Sequence, residues 1–419
     1  MREGGVEIRM FERISLDDAH RLPRWRRPEA LLYVMAAAMP LAFATWSAVL
    51  NNFVIEMAGF TGVEIGWLHT VREIPGLLAV LVIALLLIFR EQVLALCSLL
   101  LLGLATVVTA WFPSFGGLLI VTLLSSIGFH YFETVNQSLQ LQWVEKSRAP
   151  QVLGRIVAVG SGASLLAYGL LMVLWDRFSL TYDAVYMVSG GATIALTLFA
   201  ALAYPQFVNP IKQRNSIVLR RRYWLFYALQ FMAGSRRQIF VVFAGFMMVE
   251  RFGMKVSEMT ALLLINYVLQ MVAAPAMGRA LGRFGERSVM AFEYTGLTLV
   301  FLFYGGLYWF GWGLVIAGAL YIADQMFFAL SFALRTYFQK IADPADIAPT
   351  AAVSFTINHI AAVFLPAGMG YLWATSPDYV FVLGAGMALI ALLLVLLIPR
   401  HPEPGYETIF GRGLAQPAE

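Results

Sequence analysis

Apolar residues along this chain are gathered into long continuous runs, such as Leu77 to Ile88 and Ala388 to Ile398, separated by short polar breaks. A helix of about 20 apolar residues crosses a hydrocarbon core of about 30 Å. The runs predict twelve helical spans, at about 30–51, 64–88, 93–111, 117–141, 153–175, 181–204, 223–249, 259–277, 288–309, 313–335, 351–374 and 379–398. Outer-membrane barrels are excluded, because their strands alternate apolar and polar residues at a period of two. The predicted fold class is an all-α integral membrane protein.

The polar breaks orient the spans. Odd-numbered breaks hold only Arg177, Arg251 and Lys255, whereas the tails and even-numbered breaks hold most basic residues, including Lys212, Arg214, Arg220, Arg221 and Arg222. An even span count puts both ends on one side, and the basic bias makes that side cytoplasmic. The expected order is a cytoplasmic tail (1–29), a six-helix half (30–204), a basic cytoplasmic linker (205–222), a second six-helix half (223–398) and a cytoplasmic tail (399–419). Glu56, Gly59 and Glu64 recur as Glu250, Gly253 and Glu258 at an offset of 194, and Phe132 and Leu139 recur as Phe327 and Leu334 at 195. This repetition predicts two six-helix pseudo-repeats, the layout of a secondary transporter with its substrate site near the midplane.

Composition narrows the function. Sixty per cent of residues are hydrophobic, 13% are charged and mean hydropathy is +0.74, against roughly 45–50% and 25% in soluble domains. Soluble enzymes, nucleic-acid binders and single-span receptors are excluded, and the lipid bilayer is the expected surrounding. The first 28 residues hold no apolar core, so no cleaved signal peptide is expected. Val6, Met10, Phe11 and Ile14 fall at near-helical spacing, which fits either a short surface helix or a disordered tail. The lone Cys97 lies inside an apolar run, forms no intrachain disulfide and reads as a small buried group. No phosphate-binding Walker loop and no His/Cys cluster is present, so no cofactor and no metal are expected.

Ionisable side chains inside a span cost at least about 2.5–3.5 kcal/mol each, which makes the few present the candidates for function. Counting from Trp224 at the cytoplasmic start of span 7, Arg236 and Arg237 lie roughly 18 Å deep. Adjacent residues point about 100° apart, so one is expected to face a ligand and the other to pair with a carboxylate on a neighbouring helix. In span 4, His130, Glu133, Gln137 and Gln140 share one helix face. His130 and Glu133 are candidate proton-coupling groups, or Glu133 is the permanent partner of an arginine. Asp324 in span 10 is the counter-charge for span 7 or a further proton site. Arg72 and Glu73 in span 2 are expected to bond to different helices and to serve an outer gate or structural role. Asn51, Asn266, Gln270 and Asn358 are further candidates for substrate contact.

The segment Gly278-Arg279-Ala280-Leu281-Gly282-Arg283-Phe284-Gly285-Glu286-Arg287 is similar to the G-x-x-x-D-R-x-G-R-R signature of the major facilitator superfamily. The acidic position of that signature is Gly282 here, while Gly278, Arg283, Gly285 and Arg287 are retained. The resemblance implies charge pairing between neighbouring helices at this loop, and a cavity lined by spans 1, 4, 7 and 10. Span 5 lacks the Gly-Pro pattern that resembles proton-driven drug exporters. The combined expectation is a proton-coupled symporter of a small or medium anionic solute in a bacterial-type inner membrane. Alternatives are an exporter of neutral or amphipathic compounds, with every buried charge paired internally, or a transporter-like assembly factor or sensor.

Overall fold

The computed structural model describes residues 13–79, 81–144, 149–208, 219–343 and 346–411. Its elements are helical apart from two three-residue strands and an isolated bridge. By contacts the chain divides into two units, Met1–Ala58 with Ile74–Arg214, and Gly59–Glu73 with Asn215–Glu419.

The first unit contains α1 (Pro28–Ala58), α3 (Leu81–Leu85), α4 (Glu91–Val108), α5 (Phe115–Trp143), α6 (Ala149–Arg177) and α7 (Tyr182–Ala203). Ser114 and Thr181 cap α5 and α7, their hydroxyls accepting from the Gly117 and Ala184 amides left unpaired at a helix start. Leu31, Leu32 and Met35 of α1 pack with Leu99 and Leu102 of α4 and Phe132 and Val135 of α5. Beside this core, β1 (Arg13–Ser15) pairs in parallel with β2 (Gln206–Val208). The Gln92 side chain holds β2 to the start of α4, donating to the Pro205 carbonyl and accepting from the Phe207 amide, each at 2.9 Å. Ile14 thus lies in a strand rather than in the surface helix or disordered tail that the sequence suggests; Val6, Met10 and Phe11 lie outside the described residues.

The second unit contains α8 (Trp224–Ile239), a π turn (Phe240–Ala244), α9 (Gly245–Glu250), α10 (Val256–Trp309), α11 (Leu314–Phe328), α12 (Phe332–Ile341), α13 (Ile347–Trp373) and α14 (Pro377–Val395). The beginning of α2 (Gly62–Leu77) also belongs to it. Leu225, Phe226 and Leu229 of α8 pack with Met290 and Leu297 of α10, Phe338 of α12 and Ala388 and Ala391 of α14.

Among the described residues, nine helices are long and apolar enough to cross a membrane. Nine is fewer than the twelve runs read from the sequence, for three local reasons. Span 2 is interrupted because α2 ends at Leu77, just after Pro75-Gly76, and α3 resumes only at Leu81; glycine is a poor helix former. Span 7 is split by the π turn between α8 and α9. Spans 8 and 9 run together in α10, where the expected loop at 278–287 is helical except at Gly285, whose φ of 74° favours glycine. Cys97 is exposed, not buried: the outer surface of a membrane helix can face hydrocarbon, so an apolar residue there need not turn inward.

The repeated residues carry repeated geometry. Gly59 and Gly253 have φ of 63° and 64°, each ending a helix. Glu64 then accepts from the Thr61 amide at 2.8 Å, and Glu258 from the Lys255 amide at 2.9 Å. Glu56 accepts from Tyr182 and Glu250 from the Trp373 indole, both at 2.8 Å.

Candidate functional site

Ala233-Gly234-Ser235 brings α8 close to α13: a Cβ on Gly234 would fall 2.9 Å from the side-chain amide of Asn358. The two arginines follow at once, and the π turn begins three residues after Arg237. Such turns shift the face that a helix presents and are frequent at functional sites. Arg236, 1% exposed, places Nη1 3.3 Å from Asp324 Oδ1 on α11 and its guanidinium carbon 5.4 Å from the Phe328 ring centre. Arg237 is partly buried and makes no ion pair among the described residues; its Nε also lacks a hydrogen-bond partner there. Glu73 and Arg72 of α2 act on it through their charges.

Arg72 Nη2 lies 2.9 Å from Glu73 Oε1, an ion pair within α2 that the sequence expectation of partners on different helices does not include. A buried carboxylate needs a cation, and a long arginine side chain can reach back to the next residue where a shorter one could not. Glu73 also extends to another helix, with Oε2 3.5 Å from His359 Nε2 on α13, and His69 Nδ1 lies 3.2 Å from Arg72 Nη1.

A third polar group joins α10 to α11. Gln270 donates to Gln325, beside Asp324, at 3.4 Å. One turn before Gln270, Asn266 is 3% exposed, and neither its side-chain oxygen nor its nitrogen has a hydrogen-bond partner among the described residues. At the signature segment Gly278 and Arg283 are exposed, and Arg287 is partly buried. The helix pairing there comes from Glu286, 2.9 Å from Lys340 of α12, and not from the missing acid at Gly282.

In the first unit, His130 is buried, with Nδ1 2.9 Å from Ser126 Oγ and 3.0 Å from the Ser126 carbonyl. Glu133 is partly buried and makes no ion pair among the described residues, Gln137 is exposed, and Asn51 is partly buried with Oδ1 unpartnered. Along the shared face of α5, exposure thus rises from the buried His130 to the exposed Gln137. Sequence reasoning quoted Glu286 only as part of the signature segment and passed over the buried Glu293, although an acid inside an apolar run was the signal already used for the others.

The model of the Major Facilitator Superfamily matches residues 31–366. A crystal structure of a mutant of the nucleoside transporter NupG aligns with a TM-score of 0.72 at 14% identity, over 88% of this chain and 99% of that one. A further structure of NupG aligns at 0.65 and 15% identity, over 88% and 98%. No curated protein matches the sequence. With a family model covering most of its length and the same fold in NupG, the chain belongs to the major facilitator superfamily and is an integral membrane transporter of a small-molecule solute, not an enzyme.

Proposed function

We propose that this chain is a secondary active transporter of a small anionic solute, working by alternating access through twelve spans in two six-helix repeats, with both ends in the cytoplasm of a bacterial-type inner membrane. The observation that carries the anion reading is the unequal fate of the adjacent arginines. Arg236 has its carboxylate in Asp324, while Arg237 has no ion pair among the described residues. A guanidinium in a span costs several kcal/mol, and a solute carboxylate or phosphate that comes and goes would account for its retention. Asn358, Asn266 and Gln270 in the second unit, and Asn51 and Gln137 in the first, would supply hydrogen bonds. Glu133, His130 and Asp324 would couple transport to protons. The twin turns at Gly59 and Gly253 support the two-repeat layout.

A second reading, a neutral hydrogen-bonding solute, is favoured by the unpartnered amide of Asn266 and by the fold shared with a nucleoside transporter. Thermal shift of the purified protein against anionic metabolites and nucleosides separates the two. A ligand at a hundredfold excess over its Kd stabilises the fold by about 2.7 kcal/mol. Stabilisation by an anion that disappears in Arg237→Gln supports the first reading, whereas stabilisation by nucleosides that survives Arg237→Gln and is lost in Asn266→Ala supports the second.

A further inference from the structure

Between Ala19 and Pro28 the chain carries four arginines and no carboxylate. The segment is folded onto the first unit as two 3-10 turns, Leu16–Arg21 and Arg24–Arg26. Ala19 is 5% exposed within the core that joins α1, α4 and α5, and Leu16 and Leu22 pack against it. Pairing of β1 with β2 fixes one end. The other is fixed by Arg26, whose Nε donates to the carbonyl of Ala203, the last residue of α7, at 2.9 Å. Two helices long and apolar enough to cross a membrane meet the segment here, α1 beginning at Pro28 and α7 finishing at Ala203. Trp25 is 57% exposed and meets Tyr204 edge to face, with 6.5 Å between ring centres. Such aromatics gather at the level of the lipid headgroups.

The arginines are not equally matched. Arg21 meets Asp18 at 3.4 Å, both well exposed. Arg27 donates through Nε to the Leu22 carbonyl at 3.0 Å and through Nη2 to the His20 carbonyl at 2.8 Å. Carbonyls fix the direction of a guanidinium without cancelling its charge. Arg24 is exposed, and neither it nor Arg27 makes an ion pair among the described residues. A topology signal requires only positive charge, in any conformation and from lysine as well as arginine. Here the segment is held at both ends and presents guanidinium forks, which match phosphate oxygens, beside a tryptophan at a membrane boundary. We propose that Arg24, Arg27 and Trp25 form a binding site for the headgroup of an anionic phospholipid. A soluble phosphate would use the same forks, but the exposed indole adds an apolar contact that only a lipid can answer. The site needs the membrane boundary and not the transport reading, so the two fail separately.

The test follows thermal unfolding of the purified full-length protein in a neutral detergent while phosphatidylglycerol or phosphatidylcholine is titrated into the micelles. Phosphatidylglycerol should raise Tm and phosphatidylcholine should not, because a ligand that binds only the folded state stabilises it. Arg24→Gln should move the midpoint of that rise to about fivefold more lipid, and Arg24→Gln with Arg27→Gln to about 25-fold more. Arg24→Lys keeps the charge and loses the fork, so its midpoint should fall between wild type and Arg24→Gln. Arg155→Gln, at an exposed position on α6, removes the same charge elsewhere and should leave the midpoint in place. Should the Arg27 variant fail to accumulate, the Arg24 variants decide. An equal response to both lipids, an unchanged midpoint in Arg24→Gln, or an equal shift in Arg155→Gln would overturn the proposal. So would a rise in Tm with inorganic phosphate or glycerol 3-phosphate at matching concentration that is lost in Arg24→Gln, which would make this a site for a soluble phosphate.

Discussion

Arg236 and Arg237 share a chemistry and a depth, and one step around the helix separates their partners. Arg236→Gln leaves Asp324 without the cation 3.3 Å away, which should cost about 3–5 kcal/mol and be read as a large drop in Tm. Arg237→Gln breaks no ion pair among the described residues and should change stability by less than about 1 kcal/mol, while abolishing binding of the anion. Arg237→Lys should restore binding only in part, because an ammonium lacks the planar two-pronged donor. A stable Arg236→Gln, or an Arg237→Gln that still binds, would each be visible in the same thermal titration. The weight of these residues is legible in the sequence because charges in apolar runs are so few. Their partners are not: a 100° step, a π turn and helices about 90 residues away decide them. Glu293 is less conspicuous in the sequence, since it lies only roughly 8 Å inside its predicted span.

Helix α13 contains Pro366, which has no backbone N–H to give, and α2 packs its Thr70 beside it. The Thr70 hydroxyl donates to the Val363 carbonyl at 2.8 Å and accepts from the Ala367 amide at 3.2 Å, tying α2 to the turn of α13 around that proline. Thr70→Val keeps the shape and removes both bonds, so a loss of about 1–2 kcal/mol is expected in thermal unfolding. This contact joins residues nearly 300 positions apart, and no periodicity could announce it; what the sequence does announce is the proline. At the end of the basic linker, Arg220 binds Asp346 through Nε and through Nη2 at 2.9 Å, Tyr223 donates to the same carboxylate, and Arg222 pairs with Asp343. The Arg220 hydrogen bonds hold Asp346 below the ordinary aspartate value. A lowered carboxylate stabilises the fold fully above its unfolded pKa and loses that contribution as pH falls through the folded one. Stability should therefore decline below about pH 4, and Asp346→Asn should flatten that limb while lowering stability at neutral pH. A decline of unchanged slope in Asp346→Asn would assign the acid sensitivity to other groups.

For the whole molecule, the positive-inside pattern and the proposed even span count make one demand: the linker and both tails share a side. In a Cys97→Ala background, single cysteines at Asn215 and Ala415 should react with an impermeant label only from the cytoplasmic face. Reaction of either from outside would undo the twelve-span arrangement and every depth deduced from it. Coupling is the last demand, and it turns on which carboxylate changes protonation as the solute binds. Glu133 makes no ion pair among the described residues, so its charge is uncompensated unless a proton or a transient cation supplies the balance. An anion that draws an arginine to itself would favour the protonated form of any carboxylate relying on that arginine, so solute and proton should move together. In proteoliposomes, Glu133→Gln should abolish accumulation driven by a pH gradient yet preserve exchange between equal solute pools, because exchange moves no net proton. His130→Gln should match it only if the imidazole is the carrier. A Glu133→Gln protein that still concentrates solute would move coupling to Asp324, and Asp324→Asn should then show the same split, with exchange retained and accumulation lost.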